Sequence, residues 1–144
     1  MALGYKLKHY LFNAFRELFV YHHSSLEFRA KIFAMVIAVK EEPDTCDYEL
    51  VKAAGMHIYN DEDRANTLAL TTQEFVERIL GRDPIDVDTL AQDIVRELKL
   101  IPRYAKKIDI EELQPLLSCS KDPDTRSYQL NILEFLEGLK REYE

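Results

Sequence analysis

Apolar positions recur at helical spacing along nearly the whole chain. From Tyr5 to about Tyr21 one stripe carries Tyr10, Leu11, Ala14, Phe15, Leu18 and Phe19, the three-and-four alternation of an amphipathic helix. His22-His23-Ser24-Ser25 interrupts it. Ser24 with Glu27 then makes a capping box for a second helix reaching about Lys40. That helix is apolar almost all round after Lys31, a pattern that belongs at the centre of a bundle. Its apolar run, Ile32 to Val39, is too short to span a bilayer.

Polar punctuation divides the rest. Asp44 or Thr45 can cap a helix from about Cys46 to Tyr59, and Asp61-Glu62-Asp63 suits the positive end of a further short helix. Thr71 with Glu74 reads as another capping box, with Gly81 as the stop after Phe75, Ile79 and Leu80. Asp83-Pro84 marks a turn. Asp86 or Asp88 opens a helix that turns Leu90, Ile94, Val95, Leu98 and Ile101 inward and bends at Pro102. Asp109 with Glu112 opens a helix to about Ser118, kinked at Pro115, and a last helix runs from Thr125 to about Arg141. No strand-like alternation competes. The pattern predicts an all-α, single-domain bundle of seven or eight helices.

Two stretches repeat. Glu42-Pro43-Asp44-Thr45-Cys46-Asp47-Tyr48-Glu49-Leu50 returns 80 residues later as Asp122-Pro123-Asp124-Thr125-Arg126-Ser127-Tyr128-Gln129-Leu130. A repeat outranks other signals in fixing architecture. Here it predicts two pseudo-repeated helix–loop–helix units, each hinged on an acidic loop.

The acidic loops admit two readings. As caps, Pro sets the turn, Asp or Thr takes the unpaired helix N–H groups, and Tyr and Leu pack inward. As a cation site, Glu41, Glu42, Asp44, Asp47 and Glu49 crowd the first loop, while Asp122 and Asp124 mark the second. If the units pack about a pseudo-twofold axis, the loops lie on one face and pool oxygen ligands for Ca2+ or another divalent cation. An EF-hand is excluded: counting from Asp122, position six is Ser127 and position twelve is Leu133.

Charge sharpens this picture. The 144 residues carry a net charge of −7. Residues 41–94 hold fourteen Asp/Glu against four Lys/Arg, whereas 95–108 hold five Lys/Arg against one Glu. An acidic band of this kind argues against nucleic acid and suits a cation or a basic protein partner. The two cysteines, Cys46 and Cys119, form no CxxC, and the N-terminus lacks a signal-peptide pattern. A reduced, cytoplasmic setting follows, with Cys119 as a small buried hydrophobe.

Catalytic signatures are absent from the sequence. His9, His22, His23 and His57 form no metal-ligand spacing, and there is no GxSxG, GxGxxG or P-loop. The chain reads as a non-enzyme, with a metal-dependent enzyme as the weakest alternative. Tyr5, Tyr10, Phe12, Phe15, Phe19 and Tyr21 exceed one stripe, so the first helix is either clamped in the core, a dimerisation face or, with Lys6, Lys8 and Arg16, a membrane-surface helix.

The stretches Ile32–Leu50, with Ala38, Glu41, Glu42 and Glu49, and Leu113–Leu130, with Ser118, Lys121, Asp122 and Gln129, resemble the tellurite-resistance TerB-like domain. That domain also stands at the front of some membrane-anchored J-domain co-chaperones. The resemblance covers about residues 26–142 and leaves 1–24 as an additional helix. It implies a bacterial, cytoplasmic, stress-linked interaction domain without catalysis. The family's Asp-Gly pair is Glu41-Glu42 in the first loop and Lys121-Asp122 in the second, and its following glutamate survives only as Glu49.

Overall fold

Helix α1, residues 25–37, is buried on nearly every side: Phe28, Ala30, Ile32, Phe33, Met35, Val36 and Ile37 all lie in the core. The computed structural model describes residues 25–81 and 86–144. The expected helix from Tyr5 to Tyr21, the Ser24 cap and the Asp83-Pro84 turn lie outside them, and with them the dimer and membrane-surface expectations. Around α1 stand α2 (Thr45–Tyr59), α3 (Glu62–Leu80), α4 (Val87–Leu100), a 3-10 helix (Pro102–Lys107), α5 (Ile110–Leu113), a second 3-10 helix (Gln114–Cys119) and α6 (Pro123–Tyr143). Among the described residues there are six α-helices and no strand. None is long and apolar enough to cross a membrane.

Helices α2 and α3 form a tight hairpin. Asn60 closes α2 in the left-handed conformation at φ 51°, and Asp61 caps α3 by accepting the Arg64 N–H at 3.0 Å. Gly55 is required at the crossing, because a Cβ there would stand 2.8 Å from the Ala65 Cα. Helix α4 turns Leu90, Ile94 and Leu98 inward as the spacing predicts, with Val95 and Ile101 only half-buried. Lys31 of α1 reaches Glu97 of α4 at 3.0 Å.

Several predicted helix signals are used differently. Thr71 and Glu74 do not start a helix: both lie inside the single 19-residue α3, where Thr72 donates back to the Leu68 carbonyl at 2.7 Å. No Gly or Pro stands between Asp61 and Thr71, so a helix already capped at Asp61 runs through the second box without a stop. Gly81 follows α3 in an extended conformation, not the left-handed one. Asp109 makes no side-chain cap, and its expected partner Glu112 instead meets His57 of α2 at 3.1 Å. Pro115 does not kink a longer helix. It stands second in the second 3-10 helix, in the first turn, where its missing N–H costs nothing.

The repeated motif is also read in two registers. Pro43 precedes the α2 cap, Asp44, whereas Pro123 is the first residue of α6 after its cap, Asp122. The expected start at Thr125 is therefore two residues late. At 3.6 residues per turn, that offset rotates the following side chains by about 200° relative to the cap. Tyr48 and Leu50 pack against the core, while Tyr128 and Leu130 are exposed. Glu49 is exposed and Gln129 is fully buried.

Candidate functional site

The loop after α1 and the loop before α6 meet. Between them opens a cleft of about 350 Å³ with Glu41 and Glu42 on one wall, Asp122, Asp124 and Thr125 on the other, and Lys40, Lys121 and Tyr128 beside them. Four of the seven predicted ligands thus line one concavity. Asp44, Asp47 and Glu49 do not, and neither do Asp61, Glu62 and Asp63.

Each loop is fixed by its helix start. The Asp44 carboxylate accepts the Cys46 N–H at 2.9 Å, and Asp47 accepts the Asp44 N–H at 3.0 Å, closing a capping box. On the opposite wall Asp122 accepts the Asp124 N–H at 3.2 Å and the Thr125 hydroxyl at 3.1 Å. The caps leave Glu41, Glu42 and Asp124 with no partner in the described contacts and with their side chains exposed.

Asp47 is no surface ligand. It is completely buried and accepts from the Lys40 ammonium at 2.8 Å. Lys40 also donates to the Cys119 carbonyl at 3.1 Å, so one buried cation joins the two halves of the chain beneath the cleft. Burying both charges is tolerable because each finds the other and a further hydrogen bond. One Asp47 oxygen, Oδ1, remains buried without a hydrogen bond. Burial, with the Glu77 and Asp47 carboxylates close by, pushes the neighbouring Tyr48 phenol up to about 12.

The far wall is held by a second polar chain. Ser120 donates to Gln129 at 2.9 Å, and Gln129 donates in turn to the Val36 carbonyl of α1 at 3.1 Å. Arg126 adds a bond to the Ser120 carbonyl at 2.9 Å.

Cys46 and Cys119 form a disulfide, with Cα atoms 5.8 Å apart. This corrects the expectation of a lone buried thiol at Cys119. Spacing of 73 residues gives no hint of the pairing. Only the meeting of the α2 start with the end of the second 3-10 helix creates it.

Among the described residues no group of three or more His, Cys, Asp or Glu is gathered to hold a metal ion. The cleft carboxylates line a groove and do not converge on a point. Sequence reading missed Lys40, Lys121 and Tyr128. A lysine closing an otherwise apolar helix was the one signal that could have flagged Lys40, since a charge there needs a buried partner. No family model, curated protein or solved structure matches the chain.

Proposed function

We propose that this chain is a non-enzymatic interaction module of TerB-like type that receives a basic segment of a partner protein in the cleft between its two acidic loops. The observation that carries the reading is the placement of Glu41 and Glu42 opposite Asp122 and Asp124 along one open groove. Carboxylates spaced along a groove suit successive Lys or Arg side chains better than a single divalent ion, which needs six or more oxygens around one point. Tyr128, 62% exposed at the edge, offers a ring face to a cation. Lys121 offsets part of the charge and favours a partner with a carboxylate or phosphate beside its basic residues.

The resemblance to TerB-like domains, with its bacterial and stress-linked associations, enters here as part of the proposal. A cytoplasmic location enters with a condition: the Cys46–Cys119 bond has to be kept there, whereas oxidising compartments preserve such bonds by default.

The test is fluorescence anisotropy with Lys/Arg-rich and acidic peptides of equal length, run beside thermal melts with calcium, magnesium and zinc. Salt-sensitive binding of the basic peptide, weakened about tenfold in Glu42→Gln/Asp124→Asn, is the expected result. Equal binding of both peptides, or no effect of the double variant, overturns the reading. A calcium-dependent melt without peptide binding restores the divalent-cation alternative.

A further inference from the structure

A second group of cations lies away from the residues that line the acidic cleft. Tyr59, at the end of α2, has the Arg29 guanidinium of α1 at 5.6 Å from its ring centre and that of Arg64 from α3 at 6.0 Å. The first 3-10 helix adds Arg103 and Lys107. It is docked beside Arg29 by Tyr104, whose ring centre lies 5.1 Å from that of Phe28, the residue preceding Arg29. Arg103 itself sits over the Tyr104 ring at 5.9 Å. Burial, then the charges of Arg29 and Arg103, hold the Lys107 ammonium below its usual range, so these three cations share one field.

Among the described residues none of the four is in a salt bridge. The salt bridges among the described residues join Lys31 to Glu97, Lys40 to Asp47, Lys52 to Glu62, His57 to Glu112, Arg78 to Glu74 and Arg96 to Asp93. Beside Arg64 in sequence, Asp61 caps α3, Glu62 faces Lys52, and Asp63 is exposed. Arg29 Nε and the Tyr59 hydroxyl are buried with no hydrogen-bond partner among the described residues. A buried donor without an acceptor and a cluster of like charges both destabilise a fold.

We propose that Arg29 and Arg64, over the Tyr59 ring, together with Arg103, over the Tyr104 ring, and Lys107 of the same 3-10 helix, form a binding site for a phosphate group, carried free, on a small molecule or on a lipid headgroup. The planar forks of arginine match tetrahedral oxyanions bidentately, and lysine adds a point charge. A single carboxylate would leave most of the positive charge uncompensated. The site is independent of the acidic cleft and of the function proposed for it.

The experiment is a thermal melt and calorimetric titration of the full chain with pyrophosphate, against sodium chloride at matched ionic strength. A parallel arm measures co-sedimentation with phosphatidylcholine vesicles with and without a phosphoinositide. The expected result is a pyrophosphate-dependent rise in melting temperature of several degrees. Binding should fall about tenfold in Arg103→Gln, an exposed position that leaves the core intact, and vanish in Arg29→Gln/Lys107→Gln. Binding to phosphoinositide vesicles alone, lost in the same variants, supports the site with a lipid as its source. Absence of binding in both arms, or equal binding by wild type and Arg103→Gln, overturns the proposal.

Discussion

The Lys40 ammonium and the Asp47 carboxylate meet at 2.8 Å with both side chains withdrawn from water, and the same ammonium holds the Cys119 carbonyl 79 residues away. This pair positions the near wall of the cleft. Lys40→Met leaves Asp47 buried and uncompensated, and is expected to cost about 3–5 kcal/mol. Adding Asp47→Asn, which keeps an acceptor for the Asp44 N–H, should recover much of that loss. Urea unfolding of the single and the double variant beside wild type checks it; a single-variant cost below about 1 kcal/mol would mean that water reaches the pair.

The Cys46–Cys119 bond closes a loop of 73 residues. Its removal in Cys46→Ser/Cys119→Ser, or its reduction by a dithiol, should lower stability by about 4 kcal/mol through restored freedom of the unfolded chain. Thiol counting under denaturing conditions comes first. Two free thiols in the protein as purified would show the bond unformed.

Capping tests the register of the second loop. Asp122→Ala removes two hydrogen bonds at the start of α6 and should cost about 1 kcal/mol, while Asp124→Ala, which caps nothing, should cost less. The reverse order would put the α6 start two residues later, in the register of α2.

Two glycines in helices should respond with opposite signs. Gly55→Ala forces α2 away from Ala65 and should destabilise by about 1–3 kcal/mol. At Gly138 a Cβ meets nothing within 4 Å, so Gly138→Ala should stabilise by roughly 0.5–1 kcal/mol. Thermal melts of the two single variants suffice, and equal shifts would refute the close α2–α3 crossing.

Alkaline pH probes Tyr48. Its phenol is raised to about 12 in the folded protein, so the proton is held more tightly there than in the unfolded chain. Its contribution is full below the ordinary phenol value near 10 and is lost as pH rises through about 12. Tyr48→Phe should flatten that alkaline decline while leaving stability at neutral pH little changed. An identical decline in the variant would assign it to other tyrosines.

Much of the chain was legible because local chemistry dictates it. The all-α class, the buried α1, the inward Leu90, Ile94 and Leu98 of α4 and the acidic helix starts near Asp44 and Asp61 follow from periodicity and from the need of helix ends for acceptors. The failures share a cause. A capping box is a local possibility that a helix already in progress overrides, as at Thr71 and Glu74. Asp109 was predicted as a cap because Glu112 follows it, yet Glu112 is drawn away to His57.

The repeated acidic motif marks the same division. By itself the sequence determined that two acidic loops each precede a helix, since Asp, Pro and Thr carry that instruction within a few residues. Only the tertiary structure decided that those loops face one cleft, that Asp47 belongs to Lys40, that Cys46 meets Cys119, and that Arg29 and Arg64 converge on Tyr59. Local hydrogen bonds act over three or four residues and can be read in order along the chain. Burial and charge pairing act across contacts separated by up to 93 residues, such as Gln129 with Val36, and no spacing in the sequence encodes which partners meet.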